Sequence, residues 1–491
     1  MDFFDVLQSA FGLFATWQNV LVLGLGVVIG TFVGAIPGMT TPMAVALTLP
    51  FTFTLHPVTG ILLLLGVYKG GIYGGSITAI LINAPGTPAA SCTVLDGYPL
   101  AKRGEARRAL DIALYASCVA DFISNISLIL FAGVLAGFAL AFGSPEVFTL
   151  IMFSLTIIAG VSGDQLLKGL GSAGLGLLLA TVGLDLVYGT NRFVFGDVNL
   201  MSGLNFIPVL IGLFALPEII AYYGRREIAR EHNPLAGVGA TFADFRRCLK
   251  TIIRGSLIGV ILGAIPGIGG APSAFLSYSE ARRTSRTPEK FGTGEIEGVA
   301  AAESGNNGVA GATMIPLLAL GIPGDIITAI ILGAFMIHGL RPGPLLFQDS
   351  LPLIYALFLG IMLSSMYLLI VGKISIRLIS RVADIPHRLL FPVVLVLCVF
   401  GAYAVNNTIF DVTVMFMMGG VGFAMLRLNI PAAPFLIAFI LGPLLEDNFR
   451  QSLLLSRGDW LIFFSSTICW VFWGLTAMVI GLTVWSNVRR A

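Results

Sequence analysis

What this sequence lacks narrows it first. Only 11% of its 491 residues are charged, against roughly 25% in an average soluble domain, and no Lys or Arg precedes Lys69. The five cysteines (Cys92, Cys118, Cys248, Cys398 and Cys469) form no C-x-x-C pair and stand mostly in apolar surroundings. They read as small buried hydrophobes rather than as a disulfide or redox framework. No G-x-x-x-x-G-K-[ST] occurs, which excludes a Walker-type nucleotide engine. The four histidines (His56, His232, His338 and His387) are far apart, with neither H-E-x-x-H nor another zinc spacing. No metal, no cofactor and no nucleic-acid partner is expected. The apolar runs are continuous rather than alternating, which excludes a β-barrel.

What is present is hydrophobe, glycine and proline. The chain is 56% hydrophobic, with a mean hydropathy of +0.93. Val20–Ala35, Ile123–Phe142, Leu351–Val371 and Leu461–Trp485 approach or exceed the roughly 20 residues that cross a bilayer core as a helix. The reading is an all-α polytopic membrane protein with the lipid bilayer as its solvent. The 59 glycines and 24 prolines fit close helix packing and interrupted helices, tolerated where protein or a cavity satisfies the freed backbone groups. Asp2 and Asp5, with no basic residue near them, argue against a cleavable signal.

One unusual phrase occurs twice. Gly30-Thr31-Phe32-Val33-Gly34-Ala35-Ile36-Pro37-Gly38 recurs as Gly259-Val260-Ile261-Leu262-Gly263-Ala264-Ile265-Pro266-Gly267, an offset of 229 residues (259 − 30). Each copy also holds a second break: Asn83-Ala84-Pro85-Gly86-Thr87-Pro88 in the first, Gly321-Ile322-Pro323-Gly324-Asp325 in the second. Broken hydrophobic segments at matching places in two halves point to a transporter's binding site. Gly30/Gly34 and Gly259/Gly263 have the G-x-x-x-G spacing of helix contacts. Gly34, Pro37, Gly38, Gly263, Pro266 and Gly267 are therefore assigned as structural breaks that end those helices.

Charge placement gives topology. The connection near Thr54–Thr59 has no basic residue, whereas its counterpart near Glu280–Glu297 is strongly basic. After the second break the bias reverses: Lys102–Arg108 is basic, and Met336–Ser350 carries only Arg341 and His338. Positive connections stay in the cytoplasm, so equivalent loops fall on opposite sides, as in an inverted repeat. The expected organisation is a first repeat over 1–222, a basic cytoplasmic linker over 223–250, an inverted second repeat over 251–447, and a C-terminal connection with an extra helix over 448–491. The N-terminus is then outside and the C-terminus inside.

The paired segments carry the candidate chemistry. Pro85 and Pro323 each remove an amide donor, Gly86 and Gly324 permit a sharp reversal, and a helix starting beyond either break offers free N–H groups to a carboxylate. Substrate contacts are assigned to Lys69, Ser76, Asn83, Ala84, Pro85, Gly86, Thr87, Gly321, Ile322, Pro323 and Gly324. A coupling ion, Na+ or H+, is assigned to Ser76, Thr78, Asn83, Glu303, Ser304, Asn306, Asn307 and Asp325. Ionisable residues inside membrane segments are functional candidates by default. Lys69 either neutralises an anionic substrate or pairs with Glu303 or an Asp; Glu303 and Asp325 either couple ions or lie at an interface. Asp121, Asp185 and Asp411 are weaker candidates, expected at helix ends. A membrane enzyme would need a catalytic cluster on a loop, and none is found. A channel filter suits a symmetric oligomer better than paired breaks in one chain.

The segment Gly66–Pro88, with Tyr68-Lys69-Gly70-Gly71-Ile72-Tyr73-Gly74-Gly75-Ser76 and Asn83-Ala84-Pro85-Gly86-Thr87-Pro88, resembles the signature of the large membrane subunit of the tripartite tricarboxylate transporters. So do Asp96-Gly97-Tyr98-Pro99-Leu100, Glu303-Ser304-Gly305-Asn306-Asn307, Leu320-Gly321-Ile322-Pro323-Gly324 and Ile337-His338-Gly339-Leu340-Arg341-Pro342-Gly343-Pro344. The resemblance runs from about Val20 to Asp459. It implies a secondary transporter of the bacterial inner membrane, driven by a sodium or proton gradient and importing carboxylates such as citrate. It also implies two partners, a small membrane subunit and a periplasmic binding protein that delivers substrate. A distant likeness to elevator-type carriers would place the two breaks at tips of re-entrant hairpins.

Overall fold

The computed structural model describes residues 3–36, 38–161, 166–185, 189–223, 237–382 and 387–490. Pro37, His232 and the rest of residues 224–236 of the expected linker lie outside the described residues. The first half of the chain forms α1 (Phe3–Phe14), α2 (Trp17–Gly34), α3 (Thr41–Thr48), α4 (Pro57–Ile82), α5 (Ala90–Leu100), α6 (Ala106–Ala139), α7 (Ser144–Val161), α8 (Leu166–Ala180) and α9 (Phe206–Tyr223). The second half forms α10 (Phe242–Gly263), α11 (Gly270–Thr284), α12 (Ile296–Ala312), α13 (Met314–Leu320), α14 (Ile326–Ile337), α15 (Pro344–Asp349), α16 (Leu351–Val382), α17 (His387–Asn406), α18 (Ile409–Arg427), α19 (Ala432–Leu455) and α20 (Thr467–Arg490). Among the described residues, six helical stretches are long and apolar enough to cross a membrane: 17–34, 57–82, 90–139, 351–378, 409–427 and 432–455. The protein is an all-α polytopic membrane protein. Strand structure among the described residues is confined to the two-residue pairing of Gly183–Leu184 with Asn191–Arg192.

Local chemistry moves several expected boundaries. The basic stretch Lys102–Arg108 is not a loop. It is a single π-type turn over Ala101–Glu105, bent at Gly104, whose φ of 82° is open to glycine and strained for other residues, followed directly by the first turn of α6. The second half's first long helix starts at Phe242, inside the expected linker, because Thr241 and Asp244 form a reciprocal capping box. Arg108 donates to that Asp244 from α6 and holds its carboxyl down to about 2. At the other end the run from Trp460 is not one helix. Asp459 caps a short 3₁₀ turn over Trp460–Phe464, and α20 begins only at Thr467.

The chain packs as two compact units, each taking part of both sequence halves: Met1–Leu135 with Glu218–Leu397, and Ala136–Pro217 with Cys398–Ala491. In the first unit α4 is enclosed on all sides, with every residue from Val58 to Ile82 buried. Its seven glycine and serine positions between Gly60 and Ser76 leave room for backbone to touch backbone. Gly26, Gly30 and Gly34 of α2 face Gly66, Gly70 and Gly74 of α4. A Cβ at Gly34 would sit 2.5 Å from Gly71 O, one at Gly66 would sit 2.5 Å from Leu23 O, and one at Gly30 would collide with Val67 O. The same face recurs 229 residues on. Gly255, Gly259 and Gly263 of α10 meet α12, and a Cβ at Gly259 would lie 2.7 Å from Gly305 O. Small residues four apart allow this approach, and dispersion contacts at short range reward it.

Asp96 of α5 ties the two sequence halves together. Its Oδ1 accepts from the amides of Gly292 (2.9 Å), Gly294 (2.8 Å) and Glu295 (2.8 Å), and its Oδ2 accepts from Tyr278 Oη (2.8 Å). Asp96, Tyr278 and Glu295 are buried, Gly294 is half-buried and Gly292 is exposed. Asp96→Ala strands the buried amide of Glu295 and the half-buried amide of Gly294, a buried donor costing about 1–3 kcal/mol when left unpaired, so the thermal midpoint in detergent should fall. Asp96→Asn keeps one carbonyl oxygen for the amides and should recover most of the loss; equal midpoints for Asp96→Ala and the parent would contradict the clamp.

In the second unit α19 packs against α7 and α8, and α20 packs on α7. Here too glycines admit backbone contact: a Cβ at Gly176 would strike Phe435 O, and one at Gly212 would strike Met415 O. Arg192 pairs with Glu446 (2.6 Å), and Arg450 pairs with Glu446 (2.6 Å) and Asp185 (3.0 Å). These pairs pin the short hairpin to α19.

Candidate substrate and ion site

Each half folds its two breaks together. Asn83 ends α4 in the left-handed region (φ 53°), which Asn tolerates better than most residues. The chain then doubles back along α4, with Gly86 N donating to Gly75 O at 3.2 Å. A Cβ at Gly86 would meet Gly34 O and would lie 2.8 Å from Gly75 Cα, so only glycine fits. In the second half Gly321 (φ 72°) ends α13, and Gly324 packs on Thr313, at the kink between α12 and α13. Gly267 N donates to Gly324 O at 2.7 Å, which joins the Gly-Ala-Ile-Pro-Gly break to the Pro323-Gly324 break. Gly38 and Gly267 have φ of 87° and 89°, and Pro266 is buried.

The dipeptide Gly269-Gly270 brings the two second breaks to one place. A Cβ on Gly269 would lie 3.9 Å from Asp325 Cβ, and one on Gly270 would lie 3.6 Å from Ala89 Cβ. Consecutive Cα atoms are about 3.8 Å apart, so the ends of both breaks flank the start of α11. Tyr68 of α4 also reaches the second break: its Oη donates to Asp325 Oδ2 (3.1 Å) and lies 3.2 Å from Thr313 Oγ1.

The helix starts beyond the breaks are not left open. Asp325 is the N-cap of α14: its Oδ1 accepts from Thr328 N at 2.7 Å, and Thr328 Oγ1 accepts from Asp325 N at 2.8 Å. Thr87 Oγ1 accepts from Ala90 N at 3.1 Å at the start of α5. The free N–H groups expected at these starts are thus partly answered by the chain itself. At the second break the Asp325 carboxylate already occupies the place an anion would take.

Glu303 lies at the centre of α12 and is fully buried. Thr93 of α5 donates to its Oε1, and Ser117 of α6 donates to its Oε2 at 3.0 Å. Asn307 Nδ2 donates to Ser117 Oγ (2.8 Å) and more distantly to Glu303 Oε2 (3.3 Å). Ser76 of α4 adjoins the same carboxyl, yet its Oγ, also fully buried, makes no hydrogen bond of acceptable geometry among the described residues. No Lys or Arg among the described residues pairs with Glu303. The result is a buried carboxyl ringed by neutral oxygens and one amide from four helices. Of the residues assigned to a coupling ion, Glu303, Asn307 and Ser76 come together here. Thr78 bonds Gly75 O of its own helix, Ser304 faces Gly255 of α10, and Asn306 turns toward Gly270. Thr93 and Ser117 belong to no motif the sequence singles out and are 210 and 186 residues from Glu303.

Buried polar atoms with no partner are rare and call for an explanation. Thr41 Oγ1, Tyr73 Oη, Ser76 Oγ and Asn306 Nδ2 are four such atoms among the described residues. Ser76 stands beside Glu303, and Asn306 stands beside Gly270, next to Ala89, the residue after the Asn83–Pro88 break. All four can donate a hydrogen bond.

Lys69 takes the pairing alternative. Its ammonium meets Asp121 of α6 and donates to Asn125 Oδ1 at 2.7 Å. Asp121 Oδ2 accepts from Ser365 Oγ of α16 (2.6 Å) and Asn125 Nδ2 (3.1 Å). Asp121 is therefore in mid-helix and buried, not at a helix end as expected, because Lys69, Ser365 and Asn125 compensate its charge. Asp411 does stand at a helix start, under Thr408. Removing one partner of a buried pair costs about 3–5 kcal/mol, whereas replacing both by apolar groups is often neutral. Lys69→Met should therefore destabilise the protein strongly, and the Lys69→Met/Asp121→Leu double variant should regain most of its thermal midpoint. A double variant as unstable as the sum of the singles would contradict this.

Residues 20–437 match the family model described as the tripartite tricarboxylate transporter TctA family. The chain belongs to that family. It is also similar to two proteins of Agrobacterium vitis. One, described as an uncharacterized 52.8 kDa protein in the TAR-I ttuC' 3' region, is 39% identical over 474 residues, 95% of this chain and 93% of that protein. The other, an uncharacterized protein in the TAR-II ttuC' 3' region, is 36% identical over 231 residues, 47% of this chain and 96% of that protein. No solved structure matches. The matched span of the TctA-family chain contains both pairs of breaks, Lys69 and the Glu303 cluster.

Proposed function

We propose that this TctA-family chain is the membrane-embedded permease of a secondary carrier that imports carboxylates, citrate-like tricarboxylates among them, on a cation gradient by alternating access. In this reading the two halves are inverted repeats in the bacterial inner membrane, with the N-terminus periplasmic and the C-terminus cytoplasmic, as charge placement indicates. A small membrane subunit and a periplasmic binding protein complete the assembly, in keeping with the tripartite character of the family.

The observation that carries the reading is the Glu303 carboxyl, buried among Thr93, Ser117, Asn307 and Ser76 with no basic partner among the described residues. An uncompensated charge at such a place costs several kcal/mol. A proton or a sodium ion removes that cost, and the hydroxyl oxygens suit either one. Substrate carboxylates take hydrogen bonds from the donors on α3, α4 and α12 that have no partner among the described residues. Lys69, matched by Asp121, contributes a neutral pair rather than a free positive charge. The loaded site is then the one that crosses readily, because a cation or a substrate anion bound alone leaves buried charge unmatched.

Labelled-citrate uptake into proteoliposomes holding this chain and its small partner tests the proposal, with and without the binding protein and under an imposed sodium or proton gradient. Uptake that needs both the binding protein and one gradient is expected. Uptake without the binding protein would leave a self-sufficient carrier. Failure to transport citrate, dicarboxylic acids or aromatic acids under either gradient would overturn the carrier reading.

A further inference from the structure

A cavity of about 470 Å³ opens between the start of α6 and the end of α16. Its lining includes Arg107 and Asp111 of α6 and Lys373, Ile374, Arg377 and Leu378 of α16. Three cations thus stand against one carboxylate. That carboxylate is already engaged: Asp111 Oδ1 accepts from Lys373 Nζ at 2.5 Å, and its Oδ2 accepts from Ala240 N at 3.1 Å. Lys373 also lies over the Tyr115 ring, 4.5 Å from its centroid. Arg107 and Arg377 are exposed and have no acidic partner among the described residues. The cavity therefore keeps an uncompensated positive charge at a fixed place.

The apolar walls continue out of the cavity in one direction. Met366, Ile370, Ile374 and Leu378 follow one another every four residues on α16, and they are 63%, 55%, 53% and 41% exposed. Residues four apart share a helix face, so these four form one stripe about 18 Å long. That is slightly more than one leaflet of a hydrocarbon core about 30 Å thick. The stripe lies in a stretch able to cross a membrane, and it ends at the guanidinium of Arg377. Lys102–Arg108 is one basic segment, and Lys373, Arg377, Arg381 and Arg388 make another; by the rule that positive segments stay in the cytoplasm, both fall on that side.

We propose that this cavity binds one anionic phospholipid of the inner leaflet. The phosphate lies between Arg107 and Arg377 with Lys373 beside it, and an acyl chain runs along Met366, Ile370, Ile374 and Leu378. A free anion would use the cations and leave the stripe bare. A zwitterionic lipid would use the stripe and leave the excess positive charge unmatched.

Native mass spectrometry and thermal unfolding of the purified full chain in mild detergent test this, with dioleoyl-phosphatidylglycerol, dioleoyl-phosphatidylcholine and inorganic phosphate as probes. A one-to-one phosphatidylglycerol adduct is expected, with a midpoint several degrees above that given by phosphatidylcholine. Arg107→Ala/Arg377→Ala should keep the lipid-free midpoint, since neither residue has an ion pair among the described residues, and should lose the adduct more than tenfold. Ile370→Asn, which keeps every cation, should weaken it too. Retention of the adduct by the double variant overturns the site. Equal protection by inorganic phosphate, or an adduct insensitive to Ile370→Asn, overturns the lipid as its occupant.

Discussion

Glu303→Gln is expected to abolish gradient-driven accumulation of substrate, by more than about tenfold, or 1.4 kcal/mol in the coupling equilibrium, while the protein still folds and still binds substrate. The reason is the character of the site. Glutamine has the shape of glutamate and satisfies the same hydroxyls of Thr93 and Ser117, but it carries no charge and cannot take up a proton. A carrier held permanently in the neutral form gains nothing from the cation gradient. It should therefore still exchange labelled for unlabelled substrate across the membrane. Exchange retained with accumulation lost is the pattern a coupling group gives. Loss of both along with the thermal midpoint would mark a structural residue, and unchanged accumulation would remove Glu303 from the mechanism.

Gly30→Leu should eliminate the folded protein from the membrane, and Gly30→Ala should already lower its thermal midpoint. The Cβ alone meets the carbonyl of Val67, which is α4 backbone and has no rotamer to move to. Accommodating it means separating α2 from α4 along the whole Gly26/Gly30/Gly34 contact. Overpacking a tight interior costs about 1–3 kcal/mol even for modest insertions, and here the contact helix is enclosed on all sides. Gly174→Ala provides the control, since a Cβ on Gly174 of α8 meets nothing within 4 Å; it should leave the midpoint unchanged or raise it slightly, because alanine favours helix. Equal behaviour of Gly30→Ala and Gly174→Ala would contradict the contact.

The sequence makes the helix crossings legible because their signal is local. Gly30/Gly34 and Gly259/Gly263 stand at the same spacing in both halves, and the structure puts both pairs against a second glycine-rich helix. The glycine and serine positions of Tyr68–Ser76 likewise announce a helix with no lipid-facing side, as α4 proves to be. The Asp325-Ile326-Ile327-Thr328 stretch carried a capping signal too, but an aspartate next to a Pro-Gly break draws the eye as an ionisable group first. What lies beyond a local reading is partnership across the chain. Asp96 meets amides 196 to 199 residues away, and Glu303 finds its hydroxyls on α5 and α6. Nothing in spacing or periodicity distinguishes Ser117 from the other small polar residues of α6. The choice of Asp121 over Glu303 as the partner of Lys69 is equally a matter of which helices pack together.

In the proposed carrier the two Pro-Gly breaks flank one carboxylate site beside Gly269-Gly270. This arrangement is tested most directly by placing single cysteines at Thr87 and at Ile326, in a background with the five native cysteines replaced by alanine. The rate of maleimide labelling is then followed with and without the carboxylate that the protein transports. Protection of both positions by the same substrate concentration is the predicted result. Protection of one position alone, or of neither at a concentration that saturates uptake, would contradict it.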